Sequence, residues 1–158
     1  MSEIQDRTLH YYRQQQYQPG WFDLLSVMIS GMLRNAGERE SHAFLQQMGE
    51  TLATRYPLGA SLTVADLETQ INAVLAQFNW GFVDVQPRES AMVISHMALP
   101  PGDGLIDARQ WRQALGAVLL GLYARWLRDQ GGNPAVSLVC EETESDATLN
   151  FRYQMGGR

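Results

Sequence analysis

Residues 107–129 carry the strongest constraint in this chain. Trp111, Leu115, Val118, Leu119, Leu122, Trp126 and Leu127 recur at helical spacing, yet together they cover well over one face. A helix of that kind is buried on two sides, so other elements must pack on it from both. Gly116 and Gly121 lie inside it, each costing about 1 kcal/mol relative to alanine. Their presence predicts close backbone approach to a neighbour. Asp107 with Gln110 three residues later resembles a capping box that opens the helix. Gly131 and Gly132 close it.

The rest of the chain supplies the layers. An apolar helical pattern over 21–35 ends near Asn35 and Gly37. A second helix over 38–56 sets Phe44, Met48, Leu52 and Tyr56 along one face, and Pro57 stops it. The third starts at Thr63, a suitable N-cap with Asp66 at the positive helix end, and turns Leu67, Ile71, Val74, Leu75 and Phe78 inward. The period then changes. Trp80, Phe82, Val83 and Val85, followed by the alternation of Met92, Ile94 and His96 with Val93, Ser95 and Met97, predict a β-hairpin over 80–98. A second hairpin is expected from 135–141 and 148–154 around an acidic turn. The order is ααα–ββ–α–ββ, an α+β domain with helices packed on one face of a small antiparallel sheet. Residues 1–18 read as a polar, aromatic arm, either a short helix or a segment ordered only against a partner, and 19–158 as a single domain.

Composition narrows the function classes. The 158 residues are 45% hydrophobic and 18% charged, enough to bury a core, with no window of the roughly 18 apolar residues a membrane span needs. The opening residues hold no apolar run of the secretory kind, and a single cysteine, Cys140, allows no internal disulfide; a reducing, cytoplasmic setting is expected. A net charge of −5 argues against a nucleic-acid partner. All 12 basic residues are arginine, which removes the phosphate-loop lysine, Schiff-base lysines and Ser–Lys dyads together.

Catalytic constellations do not emerge. His10, His42 and His96 are far apart and show no metal-ligand spacing with Cys140, so no metal or cofactor is expected. Cys140 lies in an apolar run, where a buried inert thiol is the default. Glu141, Glu142, Glu144 and Asp146 share one turn, and Glu38 and Glu40 open a helix; solvated surface charge accounts for both sets. Gly102-Asp103-Gly104 follows two prolines and reads as a turn.

Two features remain. The arm and its exit present flat aromatics (Tyr11, Tyr12, Tyr17, Trp21), amides (Gln14, Gln15, Gln16, Gln18) and Arg13. Stacking faces edged by amide hydrogen bonds suit a neutral polysaccharide better than a phosphate chain. The plainer reading is an arm that docks on a sister subunit or stays disordered. The second feature is the aromatic endowment of the 107–129 helix. Trp111, Tyr123 and Trp126 are candidates for a helix–helix interface between subunits, against the plainer reading of an ordinary core set.

Two runs place the chain beside a known family. Ile71-Asn72-Ala73-Val74-Leu75 leads into Asn79-Trp80-Gly81-Phe82-Val83, and Leu119-Leu120-Gly121-Leu122-Tyr123-Ala124-Arg125-Trp126 follows on the long helix. In these runs, and in helix order from about 21 to 155, the chain resembles the D subunit of bacterial cellulose synthase. The resemblance implies a non-enzymatic α+β subunit that assembles as a homo-octamer, a tetramer of dimers. It implies N-terminal segments lining passageways for glucan chains, a role that the composition of the arm, with Tyr11, Tyr12, Arg13, Tyr17 and Trp21, would suit although the arm itself carries no family motif. The cellulose synthase complex and a proline-rich accessory protein are the implied partners, and crystalline fibril formation the implied role. The alternative from another class is a small-molecule sensor with a pocket between the sheet and the helix at 107–129.

Because no core periodicity falls in residues 1–18, their deletion is expected to leave the fold intact. A far-ultraviolet circular dichroism spectrum of unchanged shape checks this.

Overall fold

The computed structural model describes residues 2–132, 137–143 and 145–154. The chain runs α1 (Glu3–Gln16), α2 (Trp21–Arg55), α3 (Val64–Phe78), β1 (Phe82–Pro87), β2 (Ala91–Met97), α4 (Ala108–Asp129), β3 (Leu138–Glu142) and β4 (Leu149–Gln154). The α+β class and the element order match the sequence reading, but the three leading helices are drawn differently. The arm is itself helical, because Ser2 and Gln5 form a reciprocal capping box: the Gln5 amide donates to Ser2 Oγ at 3.1 Å and the Ser2 amide to Gln5 Oε1 at 3.0 Å. The expected helices over 21–35 and 38–56 are two halves of α2. Gly37 separates them with φ 82° and ψ 170°, a non-helical backbone state that breaks the helix at a kink where the sequence places its end.

Capping at the other helices follows the sequence. Thr63 Oγ1 accepts from the Asp66 amide at 3.0 Å, and Asp107 Oδ1 from the Gln110 amide at 2.7 Å. The four strands form one antiparallel sheet in the order β1-β2-β4-β3, so α4 carries the chain between two hairpins whose inner strands pair. Val85 lies opposite Ile94, Ile94 opposite Phe151, and Phe151 opposite Cys140, a row on the helix-covered face. The second hairpin's expected start at 135 falls partly outside the described residues; among those described, its strand begins at Leu138.

α4 occupies the middle layer. On its sheet side Leu119, Leu122, Tyr123 and Trp126 join Ile71 and Leu75 of α3 and Val83, Ile94, Leu149 and Phe151 of the sheet in the main core. On its other side α2 crosses so closely that side chains are excluded. A Cβ on Gly121 would overlap the Gln46 carbonyl oxygen, and one on Gly49 would overlap the Val118 carbonyl oxygen. The buried stripe of α2 here is Ser41, Leu45, Gly49 and Ala53; of the expected face, Phe44 and Met48 are exposed, whereas Leu52 packs partly buried on the main core and Tyr56 meets Phe78 edge to face. Mostly small residues point inward because two backbones meet there.

The open edge of β1 is capped from α3. Asn72 accepts from the Val83 amide at 2.7 Å and donates to the Val83 carbonyl at 3.1 Å, while Glu68 accepts from the Val85 amide at 2.8 Å. These side chains take the place of a neighbouring strand and keep the edge from templating another chain.

Gly121→Ala is expected to destabilise the protein by about 1–3 kcal/mol, since the α2 backbone cannot retreat from the new methyl without separating the layers. Urea unfolding measures the loss.

Candidate functional site

Two runs singled out in the sequence turn out to be tied together by one buried histidine. Asn79 ends α3 in the left-handed conformation (φ 60°), and Gly81 follows at φ 99°, where a Cβ would overlap the Met97 carbonyl oxygen. This tight junction aims the Trp80 carbonyl inward. His96 Nε2 is 2.7 Å from that carbonyl oxygen, and His96 Nδ1 is 2.5 Å from the Tyr123 hydroxyl. A carbonyl can only accept, so Nε2 carries the proton and Tyr123 donates to Nδ1. Burial pushes the His96 pKa down to about 4, the Trp80 bond opposing it. Burial also holds the Tyr123 phenol well above its ordinary value. The pair is thus neutral and locks β2 between the α3–β1 corner and α4.

The three expected interface residues are occupied in the same way. Trp111, Tyr123 and Trp126 are 3, 0 and 1% exposed. Trp111 Nε1 donates to the Pro100 carbonyl at 2.8 Å and Trp126 Nε1 to the Tyr56 carbonyl at 2.9 Å. Their surface is covered within the chain itself. Their apolar character misleads because α4 needs its two apolar faces for α2 and for the sheet.

An apolar cavity where α4 meets the start of α2 and the corner after β2, lined by Phe22, Leu25, His96, Leu99, Trp111 and Leu119 among others, measures about 40 Å³. Metabolite sites span roughly 300–1,000 Å³. The cavity touches the sheet only at His96 and is far smaller than the pocket a small-molecule sensor between the sheet and this helix would need.

The arm residues do not act as one set. Tyr11 and Tyr12 are 58 and 61% exposed and meet edge to face at 5.6 Å. Arg13 Nε instead donates to the Leu99 carbonyl at 2.8 Å, and the Tyr17 hydroxyl to Asp23 Oδ1 at 2.9 Å, a bond that raises the Tyr17 pKa. Trp21 begins α2 and is 71% exposed. Gln16, only 5% exposed, donates from Nε2 to the Ala98 carbonyl at 2.6 Å, and its Oε1 is buried with no hydrogen-bond partner. Arg13 and Gln16 therefore moor the end of α1 to the corner after β2.

That mooring creates a groove of about 610 Å³ between α1 and the α3–β1 junction. Tyr12 and Phe82 offer ring faces, and Gln5, Gln15 and Asn79 offer amides. The far wall, formed by Ala76, Asn79, Gly81, Phe82 and Ala98, is distant in sequence from the arm, so the arm's own residues give no sign of it. By pattern Phe82 reads only as a strand residue; its 49% exposure is what distinguishes it.

His42 and Cys140 share a second groove, with Arg39, Arg112 and Glu142. Burial, with help from Glu142 and Glu141, pushes the Cys140 thiol up to about 11, which leaves almost no thiolate at neutral pH. Arg112 binds Glu142 at 2.9 Å and Glu141 lies 3.4 Å from Arg152, so these carboxylates are paired on the surface; Glu144 lies outside the described residues. Among the described residues no three His, Cys, Asp or Glu side chains converge to hold a metal. No described helix is long and apolar enough to cross a membrane.

The layering and the two structural runs define a small α+β fold of helices packed on a four-stranded antiparallel sheet. The sequence profile of the cellulose synthase D-subunit family matches residues 7–154. Two cellulose synthase operon proteins D, from Komagataeibacter xylinus and Komagataeibacter sucrofermentans, are each 37% identical over 100 residues, 61% of this chain and 62% of their own length. A further Komagataeibacter xylinus protein of that name is 34% identical over 114 residues, 70% of this chain and 71% of its own. The chain belongs to the D-subunit family of cellulose synthase.

The His96 pKa lies near 4 in the fold against 6.5 for a free side chain, so between these values the unfolded state binds the extra proton. Stability is therefore full above about pH 6.5 and falls as pH drops toward 4, by on the order of 3 kcal/mol from this group. His96→Gln is expected to start less stable but to lose this slope, read from urea midpoints across pH 4–7.

Proposed function

We propose that this chain is a non-catalytic accessory subunit of the cellulose synthase complex that organises synthases by assembling with copies of itself. In this reading it forms a homo-octamer, a tetramer of dimers, at the cytoplasmic face of the membrane. A proline-rich accessory protein is a further partner, and ordered, crystalline fibrils are the outcome. A lone cysteine fits this setting, as the fold depends on no disulfide.

The observation that carries the reading is the exposed apolar surface on α2. Trp21, Leu24, Val27 and Met28 of its first half, and Phe44 and Met48 of its second, are all at least two-fifths exposed. A solitary subunit rarely leaves such a surface to water. The groove beside α1 supports glucan contact: a pyranose ring can lie on Tyr12 or Phe82 while its hydroxyls meet the amides of Gln5, Gln15 and Asn79. Arg13 and Tyr17 contribute by fixing the arm, and Tyr11 by bracing Tyr12.

Light scattering during size exclusion is expected to give eight times the protomer mass. Titration with a cello-oligosaccharide is expected to show binding that Tyr12→Ala with Phe82→Ala weakens on the order of tenfold, since each removes a stacking face. A monomer at working concentrations refutes the scaffold; release of reducing sugar by the pure protein refutes the non-catalytic role; unchanged titration refutes the groove.

A further inference from the structure

Helix glycines in this protein have visible reasons, with one exception. A Cβ on Gly49 or Gly121 would strike the backbone of the facing helix, and one on Gly116 would press on Leu149 and Cys140. Gly31 also lies within a helix, where glycine weakens the structure, yet a Cβ there would meet nothing within 4 Å. Its place is informative. Leu24, Val27, Met28 and Gly31 follow the i, i+3, i+4, i+7 spacing of one helical face, and Trp21 extends it by one turn.

Resting on the self-association reading above, we infer that two copies of this chain pair their α2 helices antiparallel about a two-fold axis between Val27 and Met28, with Leu24 of each copy seated over Gly31 of the other. The register is self-consistent. An antiparallel pair centred between 27 and 28 sets residue 24 against 31 and residue 21 against 34. Trp21 of one copy then covers Arg34 of the other, a ring face against a guanidinium. The stripe itself is uncharged, so laying it on its own copy brings no like charges together. Gly31 supplies the hole, as Gly49 and Gly121 do where α2 crosses α4.

The area is adequate. Trp21, Leu24, Val27 and Met28 are 71, 49, 57 and 55% exposed. They offer on the order of 500 Å² per copy, and a pair buries on the order of 1,000 Å², the lower bound for a specific interface. A partner of another kind would not need residues 24 and 31 to be mutually complementary, which only a two-fold axis requires.

The test compares the full-length chain with Gly31→Leu and with Leu24→Gly/Gly31→Leu by sedimentation over a concentration series. Gly31→Leu fills the hole and is expected to raise the dissociation concentration tenfold or more while the circular dichroism spectrum is unchanged. The double variant exchanges knob and hole and is expected to recover most of that loss. Gly31→Ala gives a second reading: as an ordinary exposed helix residue it would raise the melting temperature with assembly unaltered, whereas at a crossing it weakens assembly. Assembly of the wild type with all variants unaltered, or failure of the exchange to recover it in a folded protein, overturns the crossing and leaves another surface to explain self-association. A monomeric wild type overturns both.

Discussion

The α2–α4 crossing sets the rest of the structure. With Gly49 and Gly121 facing opposite backbones, the two helices approach closer than any side chain permits. That proximity makes α4 the middle of three layers and gives both its apolar faces something to cover. The sheet side receives Leu119, Leu122, Tyr123 and Trp126; the α2 side receives Trp111, Ala114 and Ala117, packed with Ile29, Leu45 and Ile106. The large aromatics of α4 are thus needed at home. Among the apolar residues left exposed are Phe44 and Met48 of α2, which lie outside the small-residue stripe that makes the crossing.

The two runs that carried the family resemblance are held by the same architecture. One turns the chain from α3 into β1 through Asn79 and Gly81; the other presents Gly121 to α2 and Tyr123 to His96. His96 joins them through the Trp80 carbonyl. Asn72, in the first run, closes the β1 edge. All of this is structural chemistry: caps, close approach and satisfied buried polar groups. The resemblance therefore reports a fold directly and a function only through membership, and function must be sought on surfaces outside both runs.

Much of the fold was legible because its signals are local. Thr63 and Asp107 act as caps, the change from helical to alternating period falls at residue 80, and the glycines of the long helix foretold close approach. What failed was non-local. Gly37 does interrupt the helix, as composition suggests, but the sequence does not show that the second half resumes directly after it, across a kink. The stripe Phe44, Met48, Tyr56 looks like a core face by size, whereas the crossing selects the row one position along, where Gly49 and Ala53 lie. The groove beside α1 needs Phe82 and Asn79 opposite Tyr12, a juxtaposition made by two hydrogen bonds from Arg13 and Gln16 to residues more than eighty positions away.

The arm and the first half of α2 also rest on a different footing from the remainder. The buried apolar contacts of this α2 half belong to the smaller core of Ile29, Leu45, Ile106 and Trp111, separate from the main core that holds α3, α4 and the sheet. Gly37 divides the halves of α2 at a point where the space beside the backbone is open. Regions with fewer buried apolar contacts open at lower cost than the core. One wall of the groove proposed for glucan and the surface proposed for a second copy both lie on this lightly held unit, joined by the short link from Tyr17 to Gly20. Covering its apolar stripe with another copy would add the contacts that its own core does not provide, and would fix the arm, through Trp21, relative to its neighbour. In that arrangement assembly orders the groove, so architecture precedes polymer contact.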